Sequence, residues 1–422
     1  IQDKMEYKEF IINVGVRYDA LDPNSRYPDP SRKLLYQYDN QAYEPSDLSQ
    51  LSEQQMQQAD WGYAALDEDG VPSTDGDGNY IFEPAKWASY KKKWSPRIGF
   101  GYPITDNIAF HASYGQFFDY PNLSSAYAYT NTNGASGLAP GLTGINIDNF
   151  NFGNSYSPFP VNTADFYIPA IGSPNVRPER TVQYEFGFRS FIAETYIMSM
   201  TVYYKDIYDL ISATIYDADP AQYSLYENHD YANVRGFELE LRKNFKNNIA
   251  WYMNYTLSKA EGSAPNEFFH WDVAYLASVY GWRDYNRTFN MSWDQTHVIN
   301  YGIDYQHPKG YGLNVIGNYG SGLPYTPTDA RGRPIDDPYS ARMPSTSVVN
   351  MRAYYDLSLK SANLRIYADI DNLLDQTNIY NVFTDTGTAT ESTNPNTSPM
   401  WMHRPYYWQA PRHIELGITV RL

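Results

Sequence analysis

The chain has 422 residues with 48 acidic and 32 basic side chains, and its formal net charge of −16 at pH 7 argues against a nucleic-acid partner. It has no cysteine, which excludes a disulfide framework and thiol chemistry, and no apolar run of about 18 residues that would predict a membrane-spanning helix. The mean hydropathy of −0.59 resembles that of a soluble protein, but membrane β-barrels conceal their apolar residues in alternation.

From the N-terminus onward, apolar and polar side chains alternate in stretches of about ten residues. In the first stretch, Phe10, Ile12 and Val14 fall on one side of an extended strand. Asn13 and Arg17 fall on the other side, so one face suits lipid and the other suits water. About twelve such strands are predicted, at 10–18, 98–102, 108–120, 184–192, 196–211, 234–245, 249–258, 297–305, 313–319, 349–359, 364–374 and 414–422.

The links between these strands are by turns very short and very long. Short turns are predicted at 105–107, 193–194, 247–248, 308–310 and 361–362. Long polar links are predicted at about 21–90, 121–178, 214–230, 260–294, 325–345 and 376–410. This asymmetry is typical of an outer-membrane barrel with periplasmic turns and extracellular loops, and the aromatic content of 17% suits girdles at both membrane interfaces. The sequence therefore predicts an all-β, antiparallel transmembrane barrel in the bacterial outer membrane.

The strand count fits two architectures. The chain is either a complete barrel of about twelve strands, or the C-terminal part of a plugged barrel of about 22 strands. Periodicity does not distinguish them.

A motif in the middle of the chain bears on this choice. Segment 173–188 reads Ser-Pro-Asn-Val-Arg-Pro-Glu-Arg-Thr-Val-Gln-Tyr-Glu-Phe-Gly-Phe. It resembles the barrel motif of TonB-dependent outer-membrane receptors, in which a loop ends in Asn-x-x-Pro-Glu and leads into a Tyr-Glu-x-Gly strand. Segments 232–238 and 371–375 are similar to later strands of that family. The matching motif residues are Asn175, Pro178, Glu179, Tyr184, Glu185 and Gly187.

Three further segments, 293–297, 319–327 and 410–417, resemble the Oar-like branch of the family, whose full-length members carry an N-terminal carboxypeptidase-regulatory-like domain. The resemblance favours the 22-stranded architecture. Residues 1–422 would then be the C-terminal part of the barrel, with the plug and the first strands N-terminal to Ile1. It also implies TonB-dependent active transport of a bulky or scarce solute, in which loops capture the solute and the TonB–ExbB–ExbD complex opens the plug.

The resemblance implies further partners: outer-membrane lipid and lipopolysaccharide, a solute, peptide, oligosaccharide or protein ligand, and a surface lipoprotein. An enzyme is not predicted, because the sequence has no HExxH, GxSxG or Gly-rich phosphate motif. The alternative is a self-contained twelve-stranded barrel that acts as a passive channel, a surface adhesin or a hydrolase. In the hydrolase, His111 or His297 would be the base beside a nearby serine.

Two kinds of candidate binding residue lie in the long links. Aromatic side chains interspersed with Asn and Asp can hold a ligand by ring contact and hydrogen bonds, or can pack the loops against each other. The aromatic candidates are Tyr120, Tyr127, Tyr129, Trp271, Trp282, Trp401, Tyr406 and Trp408.

The second kind is acidic. Oxygen ligands at alternate positions are typical of short calcium loops, although the EF-hand pattern is not met. A Ca²⁺ site and a solvated acidic loop both remain open, and no other cofactor is indicated. The candidate Ca²⁺ ligands are Asp67, Asp69, Asp75, Asp77 and Asn79.

Overall fold

The computed structural model describes residues 1–44, 47, 50–127, 170–193, 195–216, 223–270, 273, 287–359, 362–395 and 404–421. Within these ranges the regular structure is nearly all β-strand, apart from α1 (Glu53–Gln58), α2 (Leu123–Tyr127) and a 3-10 turn at Pro405–Tyr407. The strands are β1 Gln2–Tyr7, β2 Phe10–Leu21, β3 Leu34–Tyr38, β4 Gln41–Tyr43, β5 Asp60–Ala64, β6 Phe82–Pro84, β7 Lys91–Thr105, β8 Ile108–Asp119, β9 Ala170–Ile171, β10 Glu179–Ile192, β11 Tyr196–Tyr216, β12 Tyr223–Lys246, β13 Ile249–Gly262, β14 Phe289–Asn290, β15 His297–Gln306, β16 Tyr311–Gly320, β17 Pro324–Tyr325, β18 Ala341–Arg342, β19 Thr346–Leu359, β20 Ala362–Asp371 and β21 His413–Arg421.

One large sheet forms the wall of the molecule. Its strands follow each other as an antiparallel meander in the order β1-β2-β7-β8-β10-β11-β12-β13-β15-β16-β19-β20-β21, with β9 and β14 paired beside it. In the described residues, β1 and β21 each pair with one neighbour, so the sheet is open at both edges. This meander confirms the predicted all-β barrel wall.

The sequence did not predict the first strand, β1. Its six residues are Gln-Asp-Lys-Met-Glu-Tyr, in which only Met5 and Tyr7 are apolar, so the alternation is too weak to recognise. These two residues lie opposite Ile12 and Phe10 of β2, which places their side chains on the apolar face. The position of β1 in the sheet is therefore visible from its pairing with β2, whose apolar alternation is clearer.

A continuous apolar band runs across one face of the sheet. Residues that lie directly opposite each other on neighbouring strands share a face, so the strand register tests the band. Near one edge, Val14 lies opposite Ile98. Near the other, Ile370 lies opposite Ile414. Large apolar side chains of the band are exposed on this face, which is the arrangement that lipid requires, and they include Val14, Ile98, Phe186, Val202, Ile303, Ile366 and Leu416.

The opposite face is polar and carries paired charges. The Arg365 guanidinium donates to both carboxylate oxygens of Asp356, at 2.7 and 2.8 Å. Arg352 makes the same two-pronged contact with Asp369. These charges lie on neighbouring strands β19 and β20, at positions that alternate with the apolar band. The polar face therefore forms the inner surface of the barrel.

Strands β11 and β12 have 21 and 24 residues, although a tilted strand needs only about 9–11 residues to cross a bilayer. The parts of these strands beyond the apolar band form a long hairpin. We call it the outer hairpin, and it consists of Leu210–Tyr216 paired with Tyr223–Asp230. The link predicted at 214–230 is correspondingly shorter, because β11 continues to Tyr216 and β12 begins at Tyr223. A register shift near Asp209, which has φ of 59°, interrupts the regular pairing of β11 with β12.

The first long link was predicted as a loop, but it is largely folded. Its strands form a second sheet in the order β4-β3-β5-β6. We call this part, residues 22–90, the loop unit. Its buried residues pack against Leu225 of the outer hairpin, which the sequence could not reveal because Leu225 is remote in the chain. The core of the loop unit consists of Leu34, Tyr36, Leu51, Trp61, Tyr63 and Ala85.

Among the described residues no helix has the length and apolar character needed to cross a bilayer.

Candidate functional site

The loop unit, the motif segment and the outer hairpin meet at the outer end of the sheet. The Lys91 side chain, where β7 begins, is central to this junction and only 5% of the residue is exposed. Its Nζ donates to the carbonyl oxygen of Asn175 at 2.8 Å, to Asn175 Oδ1 at 2.9 Å and to Ser89 Oγ at 2.9 Å. Motif residue Asn175 therefore satisfies a buried ammonium group and fixes the end of the loop that precedes β10.

The next motif residues connect this loop to the outer hairpin. Pro178 is fully buried directly before β10, a position at which its missing N–H costs no ladder hydrogen bond. Glu179 Oε1 accepts the backbone N–H of Ile211 at 2.9 Å. Ile211 lies at the register shift, where regular strand pairing is interrupted. Glu179 therefore satisfies a backbone donor that an interrupted ladder leaves available.

The remaining motif residues belong to the sheet itself. Tyr184 lies on the apolar face, with its ring 5.2 Å from that of Tyr114. Glu185 lies on the inner face and accepts the Ser113 hydroxyl at 3.0 Å. A Cβ at Gly187 would lie 2.3 Å from the His111 ring, so this position has room only for glycine. The His111 ring of β8 therefore packs against the backbone of Gly187 in β10.

A cavity of about 470 Å³ opens between the three parts of this junction. Its volume falls within the usual range of small-ligand sites, about 300–1,000 Å³. The lining combines rings, amides and charges of both signs, which suits a polar solute with several hydrogen-bonding groups. It includes Tyr27, Asp29, Lys91, Arg177, Tyr226 and Asn228.

Two buried tyrosines and one ion pair lie in the loop unit beside this cavity. Burial raises the pKa of Tyr36 and Tyr63 well above the ordinary value, so both hydroxyls stay protonated. The guanidinium of Arg32 donates to Glu83 Oε2 at 2.6 Å and to the carbonyl oxygen of Ala64 at 2.7 Å. The hydrogen bond from Arg32 lowers the pKa of Glu83. Residues 27–30 and Ser89 of this loop unit form one wall of the cavity.

The structure separates the predicted aromatic residues. The Tyr127 hydroxyl donates to the carbonyl oxygen of Pro23 at 3.0 Å, and Tyr120 is half-buried at the end of β8. Tyr406 is 68% exposed and its ring meets Tyr407 edge-on, while Trp408 packs on the cluster around Phe383 and Tyr407. No ring contact among the described residues joins the first two to Tyr406 or Trp408. Tyr129, Trp271, Trp282 and Trp401 lie outside the described residues.

The acidic residues form two consecutive turns of the loop unit. Asp67 Oδ1 accepts the backbone N–H groups of residues 69 and 71, and Asp75 Oδ1 accepts those of residues 77 and 79. The backbone hydrogen bond from Asn79 is the main reason why the pKa of Asp75 is lowered. Asp329 makes the same turn with no acidic residue two positions later, so the backbone alone can account for this geometry. Ca²⁺ binding by Asp67, Asp69, Asp75, Asp77 and Asn79 remains a prediction.

Comparison with known proteins identifies the family. Residues 1–373 match the family model described as TonB dependent receptor-like, beta-barrel. The chain belongs to this family. The Oar-like branch within the family remains a prediction.

Solved structures of transporters and of an import receptor resemble the chain. The outer membrane transporter YddB from Escherichia coli is 10% identical, with a TM-score of 0.52 over 99% of this chain and 52% of that one. The ferric citrate transporter FecA in its unliganded form is 14% identical, with a TM-score of 0.49 over 100% of this chain and 44% of that one. The ferric-catecholate import receptor Fiu from E. coli K12 is 12% identical, with a TM-score of 0.48 over 98% of this chain and 42% of that one.

The chain thus spans about half or less of the length of these proteins. The similarity to YddB supports the fold. No curated protein is significantly similar to the chain.

Family membership confirms the outer-membrane location that the alternation predicted. No enzyme was predicted from the sequence, and membership of the TonB-dependent receptor family agrees with that prediction.

One group of side chains was missed by the sequence analysis. His229 and Asp230 on the outer hairpin meet His270 of the next long link, and the three ligand atoms all lie within 4.8 Å of one another. Among the described residues, this is the group of His, Cys, Asp and Glu that could hold a metal ion. We call it the His–Asp–His cluster. The available signal was an adjacent His-Asp pair at the end of the link predicted at 214–230, together with a histidine in the link predicted at 260–294. This spacing matches no standard motif.

Proposed function

We propose that this chain is part of the barrel of a TonB-dependent transporter that imports a bulky or scarce solute across the bacterial outer membrane. The observation that carries the proposal is a sheet with an apolar outer face and a charged, ion-paired inner face, in a chain that belongs to the TonB-dependent receptor family. An apolar outer face suits lipid, and a polar inner face suits a lumen that holds water or a plug.

In this proposal the outer junction captures the solute. The cavity offers guanidinium donors from Arg177, and Asp29 offers a carboxylate acceptor. The half-buried Tyr27 adds an aromatic surface for ring contacts. This lining suits an oligosaccharide, a peptide or a chelated metal better than an apolar molecule.

Energy coupling belongs to the remainder of the proposed transporter. A plug packed against the inner face would close the lumen, and the TonB–ExbB–ExbD complex would displace it when a solute is bound. The ion pairs Arg352–Asp369 and Arg365–Asp356 give that inner face fixed charges on which polar plug groups can dock. Lipopolysaccharide and a surface lipoprotein are the further partners proposed for the outer side.

The test is solute depletion by living cells. Cells with the gene, cells without it and complemented cells are grown in a defined mixture of oligosaccharides, peptides and chelated metals, and the medium is analysed by mass spectrometry. We expect one solute class to be depleted only when the gene is present, and a protonophore to abolish that depletion at once.

The same experiment tests the other classes of function. Depletion that persists with the protonophore would indicate a passive channel, and modification of a solute or lipid without uptake would indicate an enzyme. If no solute responds to the gene and only cell attachment changes, the protein is an adhesin. Each of these results would overturn the proposal.

A further inference from the structure

We propose that the His–Asp–His cluster binds a divalent transition-metal ion, of which Zn²⁺ matches the ligands best. Two imidazoles and a carboxylate are a common set of protein ligands for Zn²⁺, with a fourth position left for water or a bound molecule. The proposal concerns the outer hairpin and does not depend on the transport activity.

The first argument is the charge of Asp230. This carboxylate is buried, with 4% of the residue exposed, and its described ion-pair partners are His229 and His270. Burial of a carboxylate is costly, and a divalent ion bound by it would add a compensating positive charge.

A second buried carboxylate in the same chain shows how the charge of such a group is usually compensated. Asp294 is also almost fully buried, and it pairs with the guanidinium of Arg342. Asp230 has histidines at the place where Asp294 has an arginine. Two imidazoles and a buried carboxylate are side chains of the types that zinc sites use.

The second argument is geometry. With bonds of about 2.0–2.1 Å, neighbouring ligands of a tetrahedral zinc ion lie about 3.3 Å apart. His270 Nε2 lies 3.0 Å from Asp230 Oδ2, a hydrogen-bonding distance that ion binding would replace, and His229 Nδ1 lies 3.6 Å from Asp230 Oδ1. All three ligand atoms lie within 4.8 Å of one another. The two imidazole rings meet edge to face with their centroids 4.8 Å apart. The His229 side chain is 58% exposed, so a small rotation can bring its nitrogen to the ion.

The surroundings hold these ligands in position. The Ser263 hydroxyl donates to Asp230 Oδ1 at 2.8 Å, a supporting contact of the kind that orients metal-binding carboxylates. The backbone N–H of Ala213 donates to the carbonyl oxygen of Glu267 at 2.8 Å, which fixes the link three residues before His270. A bound ion would therefore join this link to the outer hairpin.

The test uses the full-length protein isolated from outer membranes in detergent and freed of metal with a chelator. Zn²⁺ is titrated in competition with a chromophoric zinc chelator. We expect one strong equivalent for the wild type, and at least a tenfold loss of affinity for both His229→Gln and His270→Gln. His307→Gln, in a turn next to Tyr311 at the opposite end of the sheet, is the matched control and should bind like the wild type.

A second readout separates metal binding from a purely structural hydrogen bond. X-ray absorption of the zinc-loaded protein should show imidazole and carboxylate ligands at about 2.0–2.1 Å. His229→Gln keeps the proposal testable if His270→Gln disturbs the link, because His229 is exposed. Absence of a strong equivalent in the wild type, or equal zinc affinity in the wild type and both cluster variants, would overturn the proposal.

Discussion

The pair Asp294–Arg342 gives a quantitative prediction about how the outer loops are held. Asp294 Oδ1 accepts the backbone N–H of Ala260 at 2.6 Å, and its other oxygen pairs with the Arg342 guanidinium. Arg342 also donates to the carbonyl oxygen of Asp294 at 2.6 Å. The pair thus connects the end of β13, the segment before β15 and strand β18.

Removal of one partner should cost more than removal of both charges. Arg342→Leu leaves a buried, unpaired carboxylate, and loss of one partner of a buried pair costs about 3–5 kcal/mol. We expect the lower end of that range, because the Arg342 side chain is 30% exposed. Asp294→Asn retains an acceptor for Ala260 and leaves a guanidinium that water can reach, so it should cost about 1–2 kcal/mol. The double variant should be more stable than Arg342→Leu alone.

Native-state hydrogen exchange measured by mass spectrometry reports the local opening free energy of segments 258–266, 291–297 and 322–343. The matched control is Glu261→Gln, which removes the carboxylate partner of the exposed Arg235 and should cost less than about 1 kcal/mol. The reasoning would be refuted if the double variant were as unstable as the sum of the two single variants, since the two side chains would then not interact.

Two further predictions concern the loops. A Cβ at Gly322 would lie 1.6 Å from the backbone carbonyl oxygen of Met343, so Gly322→Ala should increase hydrogen exchange in the β17–β18 region. A Cβ at Gly76 meets no neighbour, so the control variant Gly76→Ala should show the same hydrogen exchange as the wild type. The pKa of Glu83 is lowered by its hydrogen bond from Arg32. This pairing therefore stabilises the loop unit fully at pH values above the unfolded pKa of about 4.3. The stabilisation is lost as the pH falls through the folded pKa. Hydrogen exchange of segment 34–64, corrected for intrinsic rates, should therefore increase at pH 3.5 in the wild type, and the increase should be smaller in Glu83→Gln. Equal pH dependence in the two proteins would contradict this assignment.

The sequence predicted the barrel wall well because lipid imposes a strict alternation on each strand. Met5 and Tyr7 of β1 were the exception, since two apolar residues in six do not form a recognisable pattern. The motif residues Asn175 and Glu179 were located correctly at a loop-to-strand junction, but their partners Lys91 and Ile211 are distant in sequence and only the fold reveals them.

The outer surface could not be predicted to the same depth. The loop unit is stabilised by Leu225, which lies more than a hundred residues after its last strand, and no local periodicity encodes that contact. Likewise, His270 lies 40 residues after Asp230, and the two side chains meet only in the folded chain. Contacts between loops depend on the positions of whole strands, whereas alternation within a strand is a local property.

The most direct test of the central claim is uptake, in cells that lack TonB, of the solute whose depletion requires this gene. The proposed mechanism predicts that loss of TonB abolishes uptake as completely as loss of the gene does, while the protein remains in the outer membrane at normal abundance. Normal uptake without TonB would contradict the claim, because the barrel would then admit its solute passively.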